Sequence, residues 1–244
     1  MYIMEVLRLP MLTAELSEEL VERKNFEIVE AALARGKGVI LVASHMDNVD
    51  LAGCSISVRG LPISVVAKEM SWKPAAQFIV AVRNATGVIL IPSKQSRARI
   101  RQLLAENKIV TLVIDQHLRP RHAIVCRFFD QLASTSHAPA RFAAATGAAL
   151  IAGVMYRKGM SRYHAGRFEE VGLETPYENA AANIRHNTER INRIVEGWIR
   201  EFPEQWLWPH LRWKVQDSPE GWDIPEDLRP LVAGGAVTGD RDVD

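Results

Sequence analysis

Val39-Ile-Leu-Val-Ala43 is a continuous apolar run bounded by Gly38 and Ser44, with no polar residue at either alternate position. A strand covered on both faces reads this way, because it has no solvent side to alternate with. Ile63–Val66, Gly87–Ile91 and Ile109–Ile114 repeat the pattern, and Ala148–Tyr156 adds another interior strand. Segments at helical spacing accompany these runs. From Thr13 to Ala34, Leu16, Leu20, Val21, Ile28, Val29, Ala32 and Leu33 predict one long helix. Gln95–Asn107 sets Ile100, Leu103 and Leu104 against arginines, Pro139–Thr146 leads to Gly147, and Pro176–Phe202 stops before Pro203. Alternating strands and helices predict a single α/β domain, a mixed and mostly parallel sheet flanked by helices. We assign it residues 1–216, opening on a helical region at 1–34. The Pro-, Gly- and Asp-rich stretch 217–244 is expected to be a partly disordered tail.

Charge is nearly balanced, with 30 Lys and Arg against 29 Asp and Glu, so the distribution matters more than the total. Arg97, Arg99, Arg101, Arg119, Arg121 and Arg127 fall in two neighbouring stretches. Such a patch suits phosphate or an acidic carrier protein, and a solvated helix face would have the same composition. It lacks the interleaved aromatics of a single-strand nucleic-acid platform, so no nucleic-acid partner is expected. Cys54 and Cys126 are the only cysteines, which excludes a disulfide framework and a four-thiolate zinc site. His117 and His122 with Cys126 beyond do not complete a metal-ligand pattern, and no metal is expected. The longest apolar stretch, Ala143–Met155, is interrupted by Thr146, Gly147 and Gly153 and falls short of the roughly 18 residues a spanning helix needs. Met1–Pro10 lacks the basic start and cleavage site of a secretory signal.

The chemistry centres on Ser44-His45-Met-Asp47-Asn48-Val-Asp50, directly after the first apolar run. Ligands of open α/β sheets bind outside the carboxyl ends of the strands, so His45 stands where a reaction is expected. Histidine is the side chain whose ordinary pKa suits a general base at neutral pH. If a helix begins near Asp47, Asp50 lies in its first turn and can orient the imidazole, giving a His45–Asp50 dyad. No GxSxG elbow is present and neither cysteine has a histidine beside it, which favours direct transfer over a covalent intermediate.

These residues, with several further down the chain, resemble the lipid A late acyltransferases (lauroyl and myristoyl transferases) of the bacterial lysophospholipid acyltransferase superfamily. That family places a His-x4-Asp/Glu motif after a strand, matched here by His45-Met-Asp-Asn-Val-Asp50. Asp115-Gln116, Phe128-Phe129, Thr135, Pro139-Ala140, Thr146-Gly-Ala148 and Tyr156-Arg157 follow in the family's order. The close is the most specific part: Pro203-Glu-Gln-Trp-Leu-Trp-Pro-His-Leu-Arg-Trp-Lys214 resembles Pro-Glu-Gln-Trp-x-Trp-x-His-x-Arg-Trp/Phe-Lys. The glycine, tryptophan and glutamate of the usual first motif are replaced by Asp47, Val49 and Asp50, which alters the acceptor pocket.

The resemblance implies an O-acyltransferase that moves a fatty acyl group from an acyl carrier protein or coenzyme A thioester to a hydroxyl of a lipid or glycolipid, without a further cofactor. It implies catalysis by His45 and Asp50, a substrate pocket at Asn48, Arg83, Asp115 and Gln116, and carrier or phosphate binding at Lys94, Arg97 and Arg99. The resemblance places the protein at the cytoplasmic face of a bacterial inner membrane, and the arginine patch with the Trp-rich stretch Trp198–Trp213 makes peripheral binding to an anionic surface the expectation. Family members usually carry a membrane segment ahead of the first helix, whereas this chain starts almost at that helix. The alternatives are a lysophospholipid or aminolipid acceptor in place of lipid A, and a non-catalytic lipid- or carrier-binding module.

Overall fold

The computed structural model describes residues 2–67, 72–94 and 96–233. The chain opens with α1 (Tyr2–Arg8), α2 (Ala14–Leu20), β1 (Val21–Lys24) and α3 (Glu27–Ala34). The first half of the sheet follows as β2 (Val39–Ala43), α4 (Val49–Ser57), β3 (Ile63–Ala67), α5 (Lys73–Ala85), β4 (Ile89–Pro92), α6 (Ser96–Ala105) and β5 (Ile109–Val113). A hairpin of β6 (Ala123–Phe128) and β7 (Gln131–Ser136) precedes α7 (Ala138–Thr146), β8 (Ala149–Arg157), β9 (His164–Glu170) and α8 (Ala180–Glu201). Two short helices, α9 (Lys214–Asp217) and α10 (Arg229–Ala233), end the described chain.

The main sheet has the order β1-β9-β8-β2-β5-β3-β4. Every neighbouring pair is parallel except β8 and β9, so the sheet is mixed and mostly parallel, as predicted. Its continuous apolar strands follow from having two covered faces. Ile40 and Val42 pack in one core layer with Ile100, Leu103, Phe142, Ile191 and Val195 of α6, α7 and α8. Val39 and Leu41 pack in the other with Val29, Leu51 and Cys54 of α3 and α4. Each such buried aliphatic side chain stabilises the fold by about 1.5–3 kcal/mol relative to exposure.

The single helix expected over Thr13–Ala34 is instead helix, strand, helix. Val21 enters the parallel ladder opposite His164, and Asn25 takes φ 60° to turn the chain into α3. The one apolar residue of this four-residue strand, Val21, prolongs the helical period by coincidence, and only the partner strand, more than a hundred residues away, distinguishes the two. Gly147 ends α7 as expected: its φ of 71° suits glycine, and its N–H bonds Ala143 O at 2.9 Å.

The β6–β7 hairpin closes with Phe129 and Asp130 both at positive φ, 50° and 58°, between paired Phe128 and Gln131. Two successive positive φ values mark a type I′ turn, and Phe in place of Asn or Gly hides it from sequence reading. The supposed tail is structured further than its composition indicates. Leu228 is fully buried with Val125, Leu132 and Val215, and Trp222, Ile224 and Leu231 pack against them. Residues 234–244 lie outside the described residues.

Candidate active site

β2 and β5 are adjacent parallel strands in a register that sets Ala43 opposite Val113. Each strand continues two residues past this pair into a chemically active side chain, His45 from one and Asp115 from the other. Equal offsets from a paired position bring the two residues together at the carboxyl edge of the sheet. His45 Nδ1 lies 2.7 Å from Asp115 Oδ1, and the His45 backbone N–H donates to Asp115 Oδ2 at 2.7 Å. Trp206 Nε1–H donates to the same Oδ2 at 2.8 Å.

Burial alone would push the Asp115 carboxyl upward, but the bonds from the His45 ring, the Trp206 indole and the His45 backbone hold it below its ordinary value. An ionised carboxylate only accepts, so His45 carries its proton on Nδ1 and leaves Nε2 as an acceptor. Gln116 Nε2 stands 3.3 Å from that Nε2. The arrangement is an imidazole oriented by a buried carboxylate, with its basic nitrogen toward the cleft.

The orienting carboxylate found at Nδ1 is therefore Asp115, whereas the sequence pointed to Asp50. Asp50 sits in the first turn of α4 as expected, but it forms an ion pair with Arg83 of α5, at 2.6 Å from the guanidinium NH2 and 2.8 Å from Nε. Asn48, expected in the substrate pocket, is fully buried and caps α4: its Oδ1 accepts from Leu51 N at 2.9 Å, and its amide donates to Glu5 Oε2 at 3.0 Å. A side chain engaged at both ends and sealed from solvent serves the loop rather than a ligand. Arg83 and Gln116 do line the cleft.

That cleft encloses about 1650 Å³. Its inner wall is apolar, with Leu41, Ile56, Ile63, Val65, Met155 and Phe168. Elsewhere it is basic: Lys94 and Arg97, which the sequence grouped for carrier or phosphate binding, line it with Arg101, Arg119, Arg121 and Arg141. Arg99, grouped with them in the sequence, does not line it and is exposed. Asp50 is the sole carboxylate among the described residues lining this space. The concentration of positive charge is felt at His137, whose pKa is lowered by burial and then by the fields of Arg141, Arg97 and His122. Arg101, Arg119 and Arg121 belong to the arginine-rich stretches seen in the sequence, whereas Arg141 comes from α7 and no local pattern links it to Lys94.

The histidine and cysteine side chains considered in the sequence as metal ligands have other surroundings. His117 Nδ1 is 3.0 Å from Ser134 Oγ, and Cys126 is buried with its thiol pushed well up by desolvation. Among the described residues no three His, Cys, Asp or Glu side chains gather as a metal site. Of the tryptophans near the C-terminus, Trp198 and Trp206 are buried and Trp208 is exposed. No described helix is long and apolar enough to cross a membrane.

Comparison with known proteins matches residues 1–215 to the family described as bacterial lipid A biosynthesis acyltransferase. The chain is 28% identical over 156 residues to a phosphatidylinositol mannoside acyltransferase of Mycobacterium tuberculosis, covering 62% of this chain and 49% of that one. A protein of the same description from Mycolicibacterium smegmatis is 26% identical over 153 residues, covering 61% and 50%. The chain thus spans about half the length of the curated relatives it matches. Among solved structures, the 1-acyl-sn-glycerophosphate (LPA) acyltransferase PlsC of Thermotoga maritima superposes with a TM-score of 0.47 at 11% identity, over 82% of this chain and 80% of that one. With its match extending over all but the last stretch of the sequence, the chain belongs to the bacterial lipid A biosynthesis acyltransferase family.

Proposed function

We propose that this protein transfers a fatty acyl group from a carrier thioester to a hydroxyl of a lipid acceptor, with His45 as general base and Asp115 as its orienting carboxylate. The observation that carries the proposal is the 2.7 Å contact between His45 Nδ1 and Asp115 at the carboxyl edge of the sheet, which leaves Nε2 facing the cleft. The acceptor hydroxyl takes the place of the Gln116 amide at Nε2 and gives up its proton as its oxygen attacks the thioester carbonyl. The C–S bond then breaks, and the imidazolium returns the proton to the departing thiolate. A base positioned this way contributes about 10²- to 10⁴-fold to the rate.

The apolar inner wall suits the acyl chain, and the basic rim suits phosphate on the donor or the acceptor. Because the matched relatives act on phosphatidylinositol mannosides, a glycosylated phospholipid is the first acceptor to test, with lipid A precursors, lysophospholipids and aminolipids as alternatives. Docking at the cytoplasmic face of an inner membrane would be peripheral. Leu207, Trp208 and Leu211 are exposed on the segment that bonds the His45 backbone, and the arginines of the rim would favour an anionic surface.

The test is consumption of acyl-carrier and acyl-coenzyme A thioesters with each acceptor, by wild type and His45→Ala, with acylated product identified by mass spectrometry. Transfer abolished by His45→Ala in a folded protein supports the proposal. Transfer retained by that variant, or thioester left intact by the wild type with every acceptor, removes it.

A further inference from the structure

Residues 205–207 are paired with the loop that carries the proposed base. Leu207 N–H donates to His45 O at 3.0 Å, Asp47 N–H donates to Gln205 O at 2.9 Å, and Met46 and Trp206 form an isolated antiparallel bridge. The backbone on both sides of Met46 is thereby fixed to a segment 160 positions later, and Met46 itself is fully buried. Trp206 faces Asp115 from this bridge and donates its indole N–H to Oδ2. Its ring is held in turn, 4% exposed, against Phe128 at 5.8 Å and Trp213 at 5.9 Å between centroids.

We propose that Trp206 is the positioning residue of the His45–Asp115 pair: its indole N–H fixes the rotation of the Asp115 carboxylate so that Oδ1 meets His45 Nδ1, while its backbone holds the His45 loop in register. This rests on the acyl-transfer proposal only for its kinetic consequence, since the geometry concerns the resting protein.

A carboxylate rotates about a broad, nearly two-fold terminal torsion, so one bond from imidazole does not define its plane. Here Oδ2 accepts from both the His45 backbone and Trp206, and Oδ1 is left for the ring. Bonds to a charged acceptor are the stronger kind, and inside the protein an unmade one is expensive. Loss of the indole donor therefore loosens the carboxylate without removing its charge. The other titratable or charged groups whose fields reach Asp115 are His45, His210 and Arg212. Among the described residues, Trp206 is the one side chain that donates to Oδ2, beside the His45 backbone N–H.

The test replaces Trp206 by Phe and, to keep the ring volume, by benzothienylalanine, which has sulfur where indole has N–H. Nitrogen-15 NMR of the His45 imidazole in the full chain reads the tautomer without substrate. In both variants the Nδ1–H form is expected to lose population, and kcat to fall about tenfold with KM changed less than about twofold, the size of one charge-assisted hydrogen bond. The Asp115 carboxyl itself, followed by carbon-13 NMR, should also titrate at higher pH than in wild type, because it loses one of the bonds that hold it down. An unchanged tautomer and an unchanged Asp115 titration in the benzothienyl variant overturn the proposal, whatever happens to stability. If no transfer is detected with any acceptor, the NMR result still decides the positioning role, so the two proposals fail separately. Should Trp206→Phe not fold, the benzothienyl variant carries the measurement.

Discussion

His45 meets Asp115 twice, through its backbone N–H on Oδ2 and its ring on Oδ1, both at 2.7 Å. One contact would serve to orient the ring, and the other anchors the loop from which the ring projects. Asp115→Asn keeps the shape but replaces one acceptor oxygen by an NH2 donor, which favours the wrong imidazole tautomer. We expect kcat to fall by about 10²- to 10⁴-fold with the fold retained, as measured by steady-state kinetics and circular dichroism. Asp50→Asn should cost far less in kcat per folded molecule, and a loss equal to that of Asp115→Asn would return the dyad to Asp50.

Asp50 and Arg83 answer to a different measurement. Their side chains are 5% and 17% exposed, so removal of one charge leaves the other poorly solvated. Arg83→Met is expected to lower stability by about 3 kcal/mol in urea unfolding, and the double variant Arg83→Met with Asp50→Asn to recover part of it. Strict additivity of the two changes would show that the pair is not coupled.

The depressed pKa of Asp115 makes a statement about acid. A carboxyl lower in the folded than in the unfolded chain contributes stability that is complete above the unfolded value, near 4, and disappears as pH falls through the folded one. The stability difference between wild type and Asp115→Asn should therefore be level from neutral pH to about 5 and shrink below about 4. Urea midpoints across that range check it, and a difference that grows toward acid would contradict the direction.

Cys54 offers a reporter. It borders the cleft yet is fully buried, and desolvation pushes its thiol up to about 11, with Thr86 Oγ1 bonded to Sγ at 3.0 Å. Iodoacetamide at pH 8 should leave it unmodified until the chain opens, so alkylation should follow the urea unfolding curve. Rapid labelling in native buffer would show that the inner wall opens on its own.

The basic rim predicts a dependence on salt. Arg97→Glu with Arg101→Glu should raise the KM for a phosphate-bearing substrate about tenfold or more at low ionic strength, and the gap from wild type should narrow in high salt. Arg99→Glu, outside the cleft, should change little. If the Arg99 variant loses as much as the pair, long-range attraction governs rather than contact in the cleft.

How much of this was legible depends on whether the information is local. The buried strands were, because a run such as Val39–Ala43 needs two apolar faces wherever its neighbours lie. His45 was also, from its place just beyond that run. Asp50 was chosen as its partner because it stands in the same motif, and proximity in sequence was the only distance available. The pairing of His45 with Asp115 depends on β5 lying beside β2, ahead of the sequentially nearer β3, and one chain without its sheet order does not contain that fact. Asn48 shows the converse: a polar side chain in a motif looked like a ligand group until its two ends were found capping the start of α4 and holding Glu5. Val21 and Phe129 misled for different reasons, one by lying in an edge strand whose partner comes more than a hundred positions later, the other by taking a positive φ usually left to glycine or asparagine.

Glu5 lies on the opening helix, yet its carboxylate binds Arg157 at 2.5 and 2.8 Å and the Asn48 amide at 3.0 Å, while Arg157 also reaches Asp47 at 3.1 Å. The outer face of that helix presents Met4 and Leu7 to solvent. The opening helix, remote in sequence, is thus joined to the residues flanking the His45 loop, so displacing it would strain the bonds that hold that loop in place.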